Sequence, residues 1–188
     1  MKPYLDAKHA ARSQRRVKKL LEGFSLGFAS RALEVGCGRG VVSIFLARQF
    51  GLEVTAVDLD PDAINLAKQE AKLENSRVNL VRGNALSLPF IEKAFDLVLG
   101  LNMLHHTPDW RQALREMDRV LGKKGWLALI ERYNPELRWV KGRLRVGFHG
   151  LPKKVLEKEL MSLNYSLARI IVEGKWAKRY GIIGQKNR

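Results

Sequence analysis

The sequence contains a single cysteine, Cys37, among its 188 residues. One cysteine cannot form an intrachain disulfide, and it cannot supply the clustered thiolates of a structural zinc site. No stretch approaches 18 consecutive apolar residues, and Asp6 and Lys8 interrupt the segment in which a signal peptide would need its apolar run. These absences predict a soluble cytoplasmic protein with no transmembrane segment and no metal site.

Acidic residues are also scarce, since 19 Asp and Glu stand against 34 Lys and Arg and leave a formal net charge of +15. Residues 1–31 contain 8 basic and 2 acidic groups and residues 132–188 contain 14 and 4, whereas residues 32–131 contain 12 and 13. The charge surplus therefore lies at the two ends. Basic ends favour an anionic partner, either nucleic acid or an anionic lipid surface, although a solvated basic surface has the same composition.

In the middle of the chain, apolar runs of strand length alternate with helical patterns. These strands are too continuously apolar to have a wet face, which predicts a doubly wound α/β domain with helices on both sides of a parallel sheet. The flanks are predicted to contain an amphipathic helix over residues 3–24, an irregular basic and aromatic segment over 132–150, a helix over 152–164, and strands over 167–174 and 178–186.

Two helix starts have local signals. Asp60 precedes Pro61, which predicts an N-cap followed by proline at the first helical position, where the missing N–H is not needed. Asp109 precedes Trp110 and predicts a second N-cap.

The stretch LEVGCGRG, residues 33–40, ends a predicted strand in alternate glycines and runs into a predicted helix. Glycines let a ligand approach the backbone closely and tolerate the dihedral angles of such a turn. The next predicted strand places Asp58 22 residues after Gly36, where a carboxylate can accept hydrogen bonds from both ribose hydroxyls. Loop and acid together predict an adenosine site.

The spacing of the loop restricts the kind of adenosine ligand. The dinucleotide fingerprint Gly-x-Gly-x-x-Gly, begun at Gly36, requires glycine where this chain has Val41. Glu34 would repel a pyrophosphate, and it suits a cationic group near the glycines. A sulfonium cofactor with an ammonium group therefore fits better than a nicotinamide dinucleotide.

The core resembles the class I S-adenosylmethionine-dependent methyltransferases, most of all the branch of small-molecule enzymes that includes those of ubiquinone and menaquinone biosynthesis. The resemblance lies in LEVGCGRG, VTAVDLDPDAINLAK, RGNALSLPFIEKAFDLVLGLNMLHHTPD and LREMDRVLGKKGWLALIE, in this order within residues 33–131. It implies one Rossmann-like α/β/α domain over residues 1–188, with a seven-stranded sheet of order 3-2-1-4-5-7-6 and strand 7 antiparallel. It also implies that residues 1–30 form a lid and residues 132–150 a substrate-side insertion.

The resemblance implies roles for ten residues in binding S-adenosylmethionine and its product S-adenosylhomocysteine. The loop Gly36, Cys37, Gly38 and Gly40 would wrap the methionine part with Glu34 near its amino group, Asp58 would bind the ribose, Leu59 would pack on the adenine, Asn84 and Ala85 would contact its edge, and Leu101 would line the methionine end. The family often has aspartate in place of Asn84, whose amide oxygen can still accept a hydrogen bond.

Methyl transfer from a sulfonium is an in-line displacement that needs alignment and exclusion of water, and it needs a general base only when the acceptor must lose a proton. His105 and His106, after the fourth predicted strand, and Tyr4 on the first helix are the candidate bases. The alternative is a structural turn in which one imidazole packs under the cofactor. Asp96 and Glu131 are expected to support strand ends.

Three functions stay open at this point. The first is methylation of a small or lipid-like acceptor that is anionic or lies near an anionic surface. The second is methylation of nucleic acid through the basic ends, and the third is a non-catalytic module of the same fold that binds nucleic acid or a partner. Residues 101–104 are LNML instead of Asn-Pro-Pro-Tyr, which disfavours methylation of exocyclic base amines or of glutamine.

Overall fold

A computed structural model of the protein describes residues 7–24, 30–140, 143–174 and 178–187, with side chains described for 11–24, 30–133, 150–174 and 179–187. The elements are, in chain order, α1 (Ala7–Leu21), β1 (Arg31–Val35), α2 (Val41–Phe50), β2 (Glu53–Asp58), α3 (Pro61–Leu73), β3 (Val78–Arg82), β4 (Phe95–Leu101), α4 (Trp110–Val120), β5 (Leu121–Val140), β6 (Arg143–Gly150), α5 (Lys153–Ser162), β7 (Tyr165–Glu173) and β8 (Lys178–Lys186). A short 3-10 turn, Leu104–His106, lies between β4 and α4.

The sheet has eight strands, of which seven lie side by side in the order β3-β2-β1-β4-β5-β8-β7, while β6 pairs with β5 off this path. The first five strands pair in parallel, and β8 runs antiparallel to both β5 and β7. Because β7 and β8 are the sixth and seventh strands of this path along the chain, the predicted order 3-2-1-4-5-7-6 with an antiparallel seventh strand is confirmed.

Residues 132–150 differ from the prediction. Instead of an irregular segment they form a hairpin, in which the second half of β5 pairs with β6 from Tyr133 opposite Gly150 to Val140 opposite Arg143. The letters RLRVGFH in this segment alternate between polar and apolar residues apart from one glycine, a period of two that is typical of a strand. The prediction of irregular structure was wrong because the many charged residues of this segment made its two-residue period difficult to recognise.

Local side-chain bonds fix two helix starts as predicted. The Asp60 carboxylate accepts a hydrogen bond from the Asp62 N–H at 3.0 Å, with Pro61 at the first helical position of α3. The Asp109 carboxylate accepts from the Gln112 N–H at 3.0 Å at the start of α4. Both caps satisfy an N–H that the helix leaves unpaired, so each helix begins at a defined residue beside the sheet.

The strands bury both of their faces, which is why they are continuously apolar. On one side β1 and β4 pack against α4 and α5, and on the other side they pack against α1 and α2. The neighbours Leu97 and Val98 of β4 belong to opposite sides, and both are fully buried. In the part of the chain that the structure describes, no helix is long and apolar enough to cross a membrane.

Helix α1 packs firmly on the sheet through Val17, Leu20 and Leu21, each about 1% exposed. Its last turn is closed by Arg169 of β7, whose guanidinium donates to the carbonyls of Lys19, Leu20 and Glu22. A cation bound at the carbonyls of a helix C-terminus satisfies groups that have no partner within the helix. The first helix is thereby attached to a strand near the other end of the described chain.

Candidate functional site

A cavity of about 600 Å³ opens at the carboxyl ends of β1, β2 and β4. The strand order reverses between β1 and β4, and ligands of open α/β sheets bind at such a reversal. The volume suits a ligand of nucleoside size. Nine of the ten residues predicted to bind the cofactor line it, namely Glu34, Gly36, Cys37, Gly38, Asp58, Leu59, Asn84, Ala85 and Leu101.

The glycine loop is fixed to the end of β2. The N–H groups of Gly36 and Cys37 both donate to the Val57 carbonyl, at 2.8 and 3.1 Å. Gly36 has a φ of 72°, and a Cβ at this position would lie 2.8 Å from the Cβ of Met103. Glycine is therefore required here both for its backbone conformation and for the close approach of Met103.

Gly40 is the predicted residue that is not among those lining the cavity. It is the N-cap of α2 with a φ of 71°, and a Cβ on it would lie 3.1 Å from the Cβ of Ala67 in α3. The third glycine of the motif thus allows α2 to pack closely on α3.

Asp58 connects the glycine loop to the start of α3. Its Oδ2 accepts from the Gly38 N–H at 2.8 Å, and its Oδ1 accepts from the Asp60 N–H at 3.0 Å. These two bonds hold the carboxylate at the wall of the cavity. Each carboxylate oxygen can accept more than one hydrogen bond, so the side chain can still receive two neighbouring hydroxyls of a ligand.

Glu34 is 3% exposed, and its carboxyl group accepts a hydrogen bond from the Ser43 hydroxyl of α2. Burial raises the pKa of Glu34 to about 8, with a small contribution from the negative charge of Asp58, and the Ser43 bond opposes the rise. The group therefore holds a proton at neutral pH when no cation is near. A cationic ligand group at this end of the cavity would favour the ionised carboxylate.

The part of the cavity wall that follows β2 and β3 is apolar, and the chain turns there at Asn84. Leu59 follows Asp58, lines the cavity and is 61% exposed, so its side chain is available to a flat apolar ligand. The Asn84 Oδ1 accepts from the Leu86 N–H at 2.9 Å. An aspartate could make the same turn, because both side chains offer an oxygen at this position.

His105 is held by partners on both ring nitrogens. Its Nδ1 bonds to the fully buried carboxylate of Glu131, which also accepts from the Leu104 N–H at 2.9 Å. Its Nε2 accepts from the Arg132 Nε at 3.3 Å. Donation from Arg132 assigns the proton to Nδ1, so neither nitrogen of His105 is open to a substrate. This arrangement favours the structural turn for His105.

His106 differs from its neighbour. Its ring lies on His105 with centroids 4.0 Å apart and lines the cavity, and within the described ranges it has no hydrogen bond. Partial burial, the neighbouring His105 ring and the positive charge of Arg132 lower the pKa of His106, while the Glu131 carboxylate opposes this shift. It is therefore a neutral imidazole at neutral pH and can accept a proton. The third candidate base, Tyr4, lies outside the described residues.

The two acids expected to support strand ends do so. Glu131 binds the turn after β4, as described above. Asp96, at the start of β4, accepts from the Ser30 and Arg31 N–H groups at 3.1 and 3.0 Å and so fixes the start of β1.

The residues that line the cavity also include Ser13, Arg132 and Arg179, which the sequence interpretation did not place there. Ser13 could have been found, because a small polar residue at helical spacing from Val17 and Leu20 interrupts the apolar face of α1. The two arginines could not, because their position depends on the register between β5 and β8.

Comparison with known proteins identifies the core. Residues 33–129, more than half of the chain, match the family model described as a methyltransferase domain. Demethylmenaquinone methyltransferase of Staphylococcus aureus strain JH9 is 35% identical over 123 residues, which cover 64% of this chain and 50% of the relative. The chain thus spans about half the length of the curated relatives that it matches.

Solved structures show the same fold. A SAM-dependent methyltransferase of Methanosarcina mazei has a TM-score of 0.69 at 24% identity and covers 83% of this chain and 92% of its own. The [4+2]-cyclase SpnF has a TM-score of 0.77 at 19% identity, covering 95% of this chain and 81% of its own. Likeness of fold alone does not decide a reaction. The family match, however, extends over more than half of the chain. The chain therefore belongs to the methyltransferase domain family and has the class I fold that its sequence predicts.

Proposed function

We propose that the protein transfers the methyl group of S-adenosylmethionine to a small-molecule or lipid-like acceptor. Membership of the methyltransferase domain family supports the reaction class. The observation that carries the proposal is that the glycine loop, the buried Glu34 and Asp58 all line one cavity. The cationic amino group, the ribose diol and the adenine ring of the cofactor would each have a chemically complementary group in this cavity.

The donor set fits S-adenosylmethionine. Glu34 would hold the ammonium group, Asp58 the ribose hydroxyls, and Leu59 with Ala85 the adenine ring. When bound, the cofactor supplies an activated methyl group on its sulfonium sulfur. The protein itself aligns the groups, excludes water from the cavity and, for an acceptor that must lose a proton, offers the ring nitrogen of His106.

A second cavity of about 470 Å³ adjoins the first, and both are lined by His106 and Arg132. Its other walls include Trp110, Leu151 and Val155. Aromatic and aliphatic walls beside the proposed methyl site support a compact, partly apolar acceptor. The relatives are named for demethylmenaquinone, which supports an acceptor of this general class.

The two flanks would form part of the acceptor site. Ser13 of α1 lines the cavity, and the 132–150 hairpin begins at the cavity residue Arg132. Because Val17 and Leu20 fix α1 to the sheet, we expect this helix to serve as a packed wall and not to swing as a lid along that stretch.

Nucleic acid is the second candidate acceptor. Arg12, Arg15 and Lys18 are exposed on α1. A row of exposed cations on one helix can follow a phosphate backbone. A non-catalytic module that binds nucleic acid would use the same surface.

The acceptor class can be tested by transfer of labelled methyl groups. The protein and methyl-labelled S-adenosylmethionine are incubated with cell extract separated into small metabolites, lipids, RNA and protein, with Asp58→Ala as the inactive control. We expect label in the small-molecule or lipid fraction. Label in RNA would favour the second candidate, and no label with S-adenosylhomocysteine bound would favour the non-catalytic module.

Cofactor binding is expected to release a proton from Glu34. Since burial raises the pKa of Glu34 to about 8, the free protein carries the proton from near pH 5 to pH 8, and binding an ammonium group requires the carboxylate. The affinity for S-adenosylhomocysteine should rise about tenfold per pH unit up to about pH 8 and then level off. Titration calorimetry at pH 7 in buffers of different ionisation enthalpy should detect about one released proton.

Glu34→Gln is the comparison for this experiment, since it keeps the shape of the side chain and cannot titrate. It should bind more weakly, with no release of a proton and a flat pH profile between pH 6 and 8. A flat profile in the unsubstituted protein would contradict the role of Glu34.

A further inference from the structure

Two arginines stand directly opposite each other on neighbouring strands. Arg132 of β5 pairs with Arg179 of β8 in the antiparallel register, and both side chains line the first cavity. Opposite residues of an antiparallel pair share a face of the sheet, and like charges in this arrangement destabilise it. A negative charge bound between the two guanidinium groups would reduce this repulsion.

The described carboxylates offset this positive charge only in part. Glu173 lies opposite Arg179 on β7, but it accepts from the Arg16 Nε at 3.1 Å and lies 4.0 Å from the Lys19 Nζ. The Arg132 side chain has one hydrogen bond within the described ranges, to Nε2 of His105, whose other ring nitrogen bonds to the buried Glu131 carboxylate. The Arg179 side chain has no hydrogen bond in that part of the chain, although it lines the cavity.

The electrostatic surroundings of Arg179 are consistent with an excess of positive charge. Burial and the neighbouring charges of Arg16, Arg132 and Arg12 lower the pKa of this guanidinium, while Glu173 acts in the opposite direction. Four cations from α1, β5 and β8 thus act on one end of the cavity.

This end is distant from the glycine loop. The strand order from β1 through β4 and β5 to β8 separates Arg179 from the loop by three strand spacings, roughly 14 Å. Asp58 is one strand farther away, on β2. The arginine pair therefore lies across the cavity from the proposed adenosine site, on the side of His106.

We propose that Arg132 and Arg179 bind a carboxylate or phosphate group of the methyl acceptor, an inference that rests on the proposed function. Guanidinium groups bind both anions through paired N–H donors, and two opposed guanidinium groups can hold one anion between them. The acceptor is then an anionic molecule, and its anionic group positions the rest of the molecule beside His106.

Titration calorimetry on the protein saturated with S-adenosylhomocysteine tests this with matched probes: benzoate against benzamide, and phenyl phosphate against phenol. Each anion should bind at least tenfold more tightly than its neutral partner, with a preference that falls as salt rises. Arg132→Gln and Arg179→Gln should each remove the preference. Arg115→Gln, which removes the same charge from an arginine of α4 bonded to Gln112 and absent from the cavity wall, should leave it unchanged.

The outcomes separate this inference from the proposed function. Equal binding of anionic and neutral probes by the unsubstituted protein would overturn the anion site while leaving the cofactor site intact. Loss of S-adenosylhomocysteine affinity in Arg179→Gln as large as the loss for benzoate would instead assign the arginines to the cofactor carboxylate. No binding of S-adenosylhomocysteine to the unsubstituted protein would overturn the proposed function itself. Should a variant unfold, the comparison of probes on the unsubstituted protein still decides.

Discussion

Replacing Gly36 by alanine is expected to weaken S-adenosylhomocysteine binding by more than about 100-fold, or about 2.7 kcal/mol. The new Cβ would lie 2.8 Å from the Met103 Cβ, an atom that no side-chain rotation can move. The φ of 72° adds a backbone cost of roughly 1–2 kcal/mol for a residue other than glycine. The loop must shift away from Met103, which disturbs its bonds to the Val57 carbonyl and displaces the groups that face the ligand. Titration calorimetry measures the loss, and thermal unfolding should show a Tm lower by several degrees.

Gly51→Ala is the matched control. Gly51 has a φ of 66°, close to that of Gly36, but nothing lies within 4 Å of the position of its Cβ. This variant incurs the backbone cost without the clash, so it should lose a little stability and keep its affinity. If Gly36→Ala bound S-adenosylhomocysteine within threefold of the unsubstituted protein, the loop would not be the ligand cradle.

The second large effect is expected at Asp58. Alanine at this position removes the acceptor for two ribose hydroxyls, and hydrogen bonds to a charged group contribute about 1.5–3 kcal/mol each. We expect a loss in S-adenosylhomocysteine affinity of at least about 100-fold, since two such bonds together contribute about 3–6 kcal/mol. Asp58→Asn keeps one oxygen and should lose roughly tenfold. Alanine also leaves the Gly38 and Asp60 N–H groups without this partner, so the free energy of unfolding should fall as well.

Asp62→Ala removes the same charge four residues later, on the exposed first turn of α3. It should leave the affinity unchanged, which separates the hydrogen bonds of Asp58 from its general electrostatic effect. Retention of full affinity by Asp58→Ala would show that the ribose is bound elsewhere.

The proposed cofactor side of the cavity could be predicted from the sequence because its determinants are local. Gly36 and Gly38 lie between a strand and the following helix, and Asp58 lies at the end of the next strand. Predicting the ends of these two strands is therefore enough to place the three residues close together. Gly40 belongs to the same motif but packs against Ala67, a contact between two helices that the motif does not reveal.

The proposed acceptor side depends on long-range strand pairing, which local sequence patterns do not reveal. The bond between His105 and Glu131 joins residues 26 positions apart, and the opposition of Arg132 and Arg179 exists only in one register of β5 and β8. A register shift of one residue would turn one of the two arginines to the other face of the sheet. The distribution of charged residues along the sequence could indicate an anionic partner, but not which strands would contact that partner.

The hydrogen bonds from Arg169 to the end of α1 also affect the order in which parts of the chain fold during synthesis. The strands that lead to Gly36 and Asp58 are synthesised early and pair with each other as neighbours in the sequence. The last turn of α1 is bonded to β7, which is synthesised much later. Since β8 enters the sheet between β5 and β7, Arg179 reaches the cavity later still. Contacts across such long separations form slowly. A nascent chain would therefore complete the proposed cofactor half of the cavity before the proposed acceptor half.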